Sequence, residues 1–102
     1  MEKTLQICGK DVRFRASAAL PFLYASHLGS DIFTDMAAIG DNQALNTLTM
    51  YRVIWTMAKC ADPSIPALYE WLDSFPGMAV YSIYHELNDI FSSSFKGVAL
   101  KN

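Results

Sequence analysis

The chain is short of the residue types that most often do chemistry. It has two histidines and two cysteines, and none has a companion at metal-ligand spacing: HxxxH, HExxH and CxxC are all missing. The glycines stand singly, so no glycine-rich loop can cradle a phosphate. The serine run at 92–94 has neither a nucleophile elbow nor an adjacent base. Glu70 and Asp73 share a short amphipathic stretch and form a solvated face rather than an acid/base pair. His85 falls beside Glu86 on the polar side of the last helix, and His27 lies near a helix end, where it favours the dipole. Local sequence therefore builds no catalytic centre, and a non-enzyme without cofactor or metal is expected.

Charge is scarce as well. Lys, Arg, Asp and Glu make up 18% of the chain and the net charge is −2. The basic residues are scattered, which argues against a nucleic-acid binder with a broad cationic footprint. Long apolar runs are missing too: "AALPFLYA" (18–25) is far too short to cross a bilayer. The opening "MEKTLQICGK" lacks the apolar core of a secretory signal. A reducing compartment is therefore expected, with Cys8 and Cys60 as small buried hydrophobes.

What the chain does have is apolar material, 52% of its residues. At 102 residues that supports one modest core, with apolar surface left over for a protein contact. In "KTLQICGKDVRFR", Leu5 and Ile7, then Val12 and Phe14, alternate with polar residues on either side of Gly9-Lys10. This period-two pattern predicts a β-hairpin over 1–15, with a type II′ turn and Gly9 as its first central residue. Two strands alone are marginal, so the hairpin must lie on helices or pair with another chain.

From there the periodicity becomes helical over 17–95. Ser17 is the expected N-cap of a first helix carrying Pro21 in its first turn, Leu20, Leu23 and Tyr24 on one face, and Gly29 as its stop. Ser30 or Asp31 caps the next, short helix, which ends at Gly40-Asp41-Asn42. Residues Gln43 to Ala61 form the strongest helix. Leu48, Tyr51, Trp55 and Ala58 make one stripe and Met50, Ile54, Met57 and Ala61 a second, against a narrow polar face of Asn46, Thr49, Arg52, Thr56 and Lys59. So wide an apolar arc predicts a central helix.

Two Ser–apolar–Pro breaks follow, Ser64-Ile65-Pro66 and Ser74-Phe75-Pro76. Each is expected to cap and start a helix: a short one with Leu68, Trp71 and Leu72 inward, then a last one to about Phe95, with Val80, Ile83, Tyr84, Leu87 and Phe91 in its stripe. Gly97 stops it and 96–102 forms a loose tail. The expected fold is α+β, mostly α: an N-terminal β-hairpin followed by four to five helices in one compact domain, 1–102.

The aromatics cluster in the C-terminal half, and most belong in the core. Tyr81 and Phe95 fall off the main stripe of the last helix. A groove between that helix and the Trp71 helix is the expected partner site, with Tyr81, Tyr84, Phe91, Phe95 and Trp71 as candidate contacts for an amphipathic helix.

The stretch "MAKCADPSIPALYEWLDSF" (57–75) resembles the signature of tail assembly chaperones of long-tailed bacteriophages and prophages of Gram-positive bacteria. That signature is a helix ending in Ala-x-x-Ala-Asp-Pro-Ser-Ile-Pro, then an acidic residue and Glu-Trp-Leu-Asp. Ala58, Ala61, Asp62, Pro63, Ser64, Ile65, Pro66, Glu70, Trp71, Leu72 and Asp73 match it. Ala67 departs from it, standing where the family tends to carry Asp. The N-terminal "LQICGKDVRFRASAAL" is similar to the family's strand–Gly-Lys–strand opening. The resemblance implies a non-enzymatic chaperone that binds the phage tape measure protein and assists polymerisation of the major tail protein around it. It implies self-association, the cytoplasm of the bacterial host as the location, and absence from the mature virion. The alternatives are a small helical regulatory or DNA-binding domain, disfavoured by the lack of clustered Arg and Lys, and an enzyme subunit, which would need His27, His85 and a carboxylate or cysteine to converge.

Overall fold

The computed structural model describes residues 2–38, 43–84 and 86–87, with the backbone alone for Ala38, residues 43–46 and Tyr81. The chain folds as α+β, mostly α: an antiparallel hairpin, β1 (Glu2–Ile7) and β2 (Lys10–Arg15), followed by helices. These are α1 (Leu20–Leu28), α2 (Ile32–Ala38), α3 (Gln43–Ala61), α4 (Leu68–Asp73) and α5 (Ala79–Ser82).

The strands pair Lys3 with Phe14, Leu5 with Val12 and Ile7 with Lys10. Strand alternation then sends Leu5, Ile7, Val12 and Phe14 to one face, where Ile7 and Phe14 are fully buried. That face lies on α3, which supplies the third layer a bare hairpin lacks. The turn differs from the expected one. Its central residues are Cys8 and Gly9, both at positive φ, 53° and 85°, the sign pattern of a type I′ turn. Cys8 is consequently exposed rather than buried, and Cys60 is half-buried in α3.

Helix α1 starts at an Ala19 N-cap without a side-chain bond, two residues beyond the expected Ser17. Ser17 instead closes the approach, its carbonyl accepting from Leu20 N–H and its hydroxyl from Ala19 N–H. Gly29 ends the helix at φ 66°, a conformation that costs glycine nothing. Asp31 caps α2, its Oδ2 accepting Thr34 N–H at 2.8 Å, and this bond with the Thr34 hydroxyl holds the carboxyl below the usual range.

Helix α3 is the axis. Residues 53–58 are buried without a break, and Thr49 and Thr56, expected on a polar face, are buried too. The Thr56 hydroxyl satisfies itself by donating to the Arg52 carbonyl one turn back, at 2.7 Å. Arg52 stays half-exposed and reaches Asp35 at 3.7 Å. Asp35 also accepts from the Tyr24 hydroxyl at 2.7 Å and from Ser30, so one carboxylate joins α1, α2 and α3. Burial, and then the bond to Asp35, push the Tyr24 phenol well above its ordinary range.

Both Ser–apolar–Pro breaks work differently from expectation. The N-cap of α4 is Ala67, extended at φ −60°, ψ 163° and without a side-chain bond. Pro66 keeps Ile65 out of the helical region, so Ser64 sits too far upstream to cap. Ser74 closes α4 rather than opening the next helix, its hydroxyl donating to the Trp71 carbonyl at 2.6 Å. Pro76 and Gly77, the latter at φ 53°, then turn the chain into α5. Val80, Ile83 and Leu87 are buried as the predicted stripe requires. The Gly40-Asp41-Asn42 break, His85, the helix end at Phe95 and the 96–102 tail lie outside the described residues.

Candidate partner-binding surface

The surface is built on the corner between α3 and α4. Asp62 ends α3 and folds into an Asx turn: its Oδ1 accepts the Ser64 hydroxyl at 2.7 Å and the Ser64 main-chain N–H at 3.0 Å. Those two bonds hold the Asp62 carboxyl below the usual carboxylate range. Two α3 side chains then tie down the carbonyls that follow. Lys59 Nζ donates to Ile65 O at 2.9 Å, and the Trp55 indole N–H donates to Pro66 O at 2.9 Å. From the other side, Arg13 of β2 donates to Ala61 O at 3.1 Å. That carbonyl is one of the orphans at the α3 C-terminus, where a cation also suits the helix dipole. The corner is thus fixed to the axial helix and to the hairpin at once.

Held this way, α4 borders, with α3 and the end of α1, an open groove of about 620 Å³. Leu28 of α1, Leu48 and Trp55 of α3, and Leu68, Tyr69 and Leu72 of α4 line it. Leu48 and Tyr69 are 42% and 78% exposed, an apolar display that the described residues leave uncovered. The His27 ring stands edge-on to Trp55 at 5.6 Å, and Lys59 lies 5.8 Å over the same indole. The groove is therefore apolar along its floor and cationic at one point. Nothing in it aligns a nucleophile with a base. Among the described residues no three His, Cys, Asp or Glu side chains gather as a metal site, and no helix is long and apolar enough to cross a membrane.

Of the residues expected to make contact, Trp71 and Tyr84 alone have described side chains, and these two line different pockets. Trp71 is buried, 4% exposed, with Phe75 edge-on at 5.1 Å. It lines a separate pocket between α4 and the hairpin. Tyr84 is half-buried and faces a small apolar cleft with Met36, Met50 and Met57. Phe91, Phe95 and the Tyr81 side chain lie outside the described residues. The groove residues Leu48 and Tyr69 were missed because single-helix periodicity cannot say which apolar residue a neighbouring helix fails to cover. Tyr69 did carry a signal, since it falls off the Leu68–Trp71–Leu72 stripe of its own helix.

No protein-family model, no curated protein and no solved structure matches the chain.

Proposed function

We propose that the protein is a non-enzymatic assembly chaperone of the phage-tail type, whose partner is an amphipathic helix of a tape measure protein. The observation that carries the proposal is the open apolar groove along α1, α3 and α4. It rests on the same Asp62-Pro63-Ser64-Ile65-Pro66 corner that resembles the tail assembly chaperone signature. A tape measure helix exposes apolar stripes until the tail tube, made of the major tail protein, encloses it. Leu48, Leu68, Tyr69 and Leu72 offer spare apolar surface that shields such a stripe reversibly, without nucleotide or catalytic group. Lys59 and His27 at the edge favour a stripe flanked by a carboxylate. The chaperone acts in the cytoplasm of the bacterial host and leaves before the virion is complete.

Co-expression with the long helical tape measure protein tests this. The partner is expected to become soluble and to co-purify with the chain, and Tyr69→Glu combined with Leu48→Glu is expected to abolish both effects. A partner equally insoluble with and without the chain would sink the proposal.

A further inference from the structure

The hairpin leaves one row of backbone groups open. Among the described residues its sheet has two strands only; α3 packs against β2, and the α3–α4 corner also lies beside β2. The two-residue turn makes Ile7 and Lys10 the closing hydrogen-bonded pair, so Ile7, Leu5 and Lys3 bond inward to β2. The alternate residues Glu2, Thr4 and Gln6 therefore aim their N–H and C=O groups outward. All three are exposed, and none of these main-chain groups has a hydrogen-bond partner among the described residues.

The features that blunt a free edge are missing from it. Strand β1 has no proline and pairs with β2 residue for residue, without a bulge. Its one carboxylate, Glu2, is answered within the hairpin by Arg13 at 3.5 Å and Arg15 at 3.7 Å. Thr4 and Gln6 are neutral. Such an edge takes an extended strand, and β1 is complementary to itself. Turned antiparallel about Thr4, a second β1 sets Thr4 opposite Thr4, Glu2 opposite Gln6, and Lys3 opposite Leu5. Every outward N–H of β1 then meets a carbonyl, and no like charges face each other. The half-buried Leu5 gains the apolar stem of a lysine beside it. Centring the pair on Lys3 would set two lysines face to face, and centring it on Leu5 would shorten the ladder.

We propose that β1 pairs antiparallel with β1 of a second copy of this chain, across a two-fold axis at Thr4, joining two hairpins into one four-stranded sheet. The geometry leaves room for it. Strands about 4.8 Å apart set the two β2 strands about 14 Å from each other. That exceeds the roughly 8–10 Å between packed helices, so the α3 helices under them do not collide. The edge is distinct from the groove along α1, α3 and α4, and the pairing stands or falls independently of the proposed chaperone role.

Sedimentation of the full chain from about 10 µM to about 1 mM is expected to show monomer giving way to dimer. Over the same range the amide protons of Thr4 and Gln6 are expected to slow at least about tenfold in exchange with water. NMR of a mixture of ¹³C-labelled and unlabelled chains is expected to show Lys3 Hα against Leu5 Hα of the other copy, the mark of a non-hydrogen-bonded antiparallel pair. Thr4→Pro removes an outward N–H without removing a hairpin bond, and is expected to weaken dimerisation at least about tenfold. If that variant fails to fold, Thr4→Lys is expected to do the same by placing two like charges together at the axis. A chain still monomeric at about 1 mM would overturn the proposal. So would a dimer in which the Thr4 and Gln6 amides exchange freely, or one that a folded Thr4 variant leaves intact. Full protection of those amides in the monomer would overturn it too, because the chain itself would then fill the edge.

Discussion

The Trp55 indole donates to the Pro66 carbonyl across 2.9 Å, joining the middle of the axial helix to the proline that turns the chain away from it. Trp55→Phe keeps most of the ring volume and removes the donor. It is expected to cost about 1 kcal/mol, a fall in Tm of roughly 4–8 °C for a domain of this size. Thermal unfolding followed by circular dichroism measures it. An unchanged Tm would mean that packing alone holds the corner.

Ala67 is the N-cap of α4 in the right backbone conformation and with no capping side chain. Ala67→Asp is therefore expected to stabilise the protein by about 0.5–2 kcal/mol, because the carboxylate can accept the N–H of the second or third helical residue. Urea unfolding would show a higher midpoint at unchanged slope. A lower midpoint would contradict the cap geometry.

Cys8 occupies φ 53° in the hairpin turn, where an L-residue other than Asn or Asp is strained. Cys8→Asn is expected to raise stability by roughly 0.5–1 kcal/mol. The gain should persist in reducing buffer, which separates the backbone effect from any thiol chemistry. A loss would place the turn one residue further on, at Gly9-Lys10.

Two pH limits follow from the shifted groups. Asp31 and Asp62 are held below their ordinary values by bonds to their charged forms. Their stabilising effect is complete above the unfolded carboxylate value, about 3.9, and is lost as pH falls through their lower folded values. Tyr24 is raised, so its contribution is complete below about pH 10 and declines as pH rises above that. Ultraviolet titration should find one tyrosine that ionises only with unfolding. In Asp35→Asn, which removes the carboxylate beside it, that last ionisation is expected to begin at lower pH.

Tyr69 is 78% exposed, and its side chain makes no hydrogen bond among the described residues. Tyr69→Glu is expected to leave Tm within about 2–4 °C of the parent, as surface changes of ±0.5 kcal/mol do, while it weakens partner capture. A large fall in Tm would show that the groove belongs to the core.

The hairpin strands, the ends of α1 at Gly29 and of α3 at Ala61, and the inward face of Val80, Ile83 and Leu87 were legible because each depends on neighbours in sequence. Alternation, helical spacing and a glycine stop act within a few residues. The roles of Ser64 and Ser74 were not legible in the same way. A serine hydroxyl beside a helix end can accept from one helix or donate to another, and which it does depends on the next proline. Thr49 and Thr56 illustrate the same limit at the level of packing. Their polarity places them outward by pattern, but a hydroxyl that can bond its own helix at Arg52 O tolerates burial.

By itself the sequence determined a hairpin-then-helices chain with an axial helix from Gln43 to Ala61 and a sharp corner at Asp62-Pro63, since backbone propensity and hydrophobic period are local properties. Only the tertiary structure decided which aromatics are covered. Trp71 went under the hairpin and Tyr84 against the methionines, while Leu48 and Tyr69 stayed uncovered. Coverage depends on the angle at which α4 leaves α3, and that angle is set by Lys59, Trp55 and Arg13 reaching carbonyls of the corner from positions up to 48 residues away in sequence.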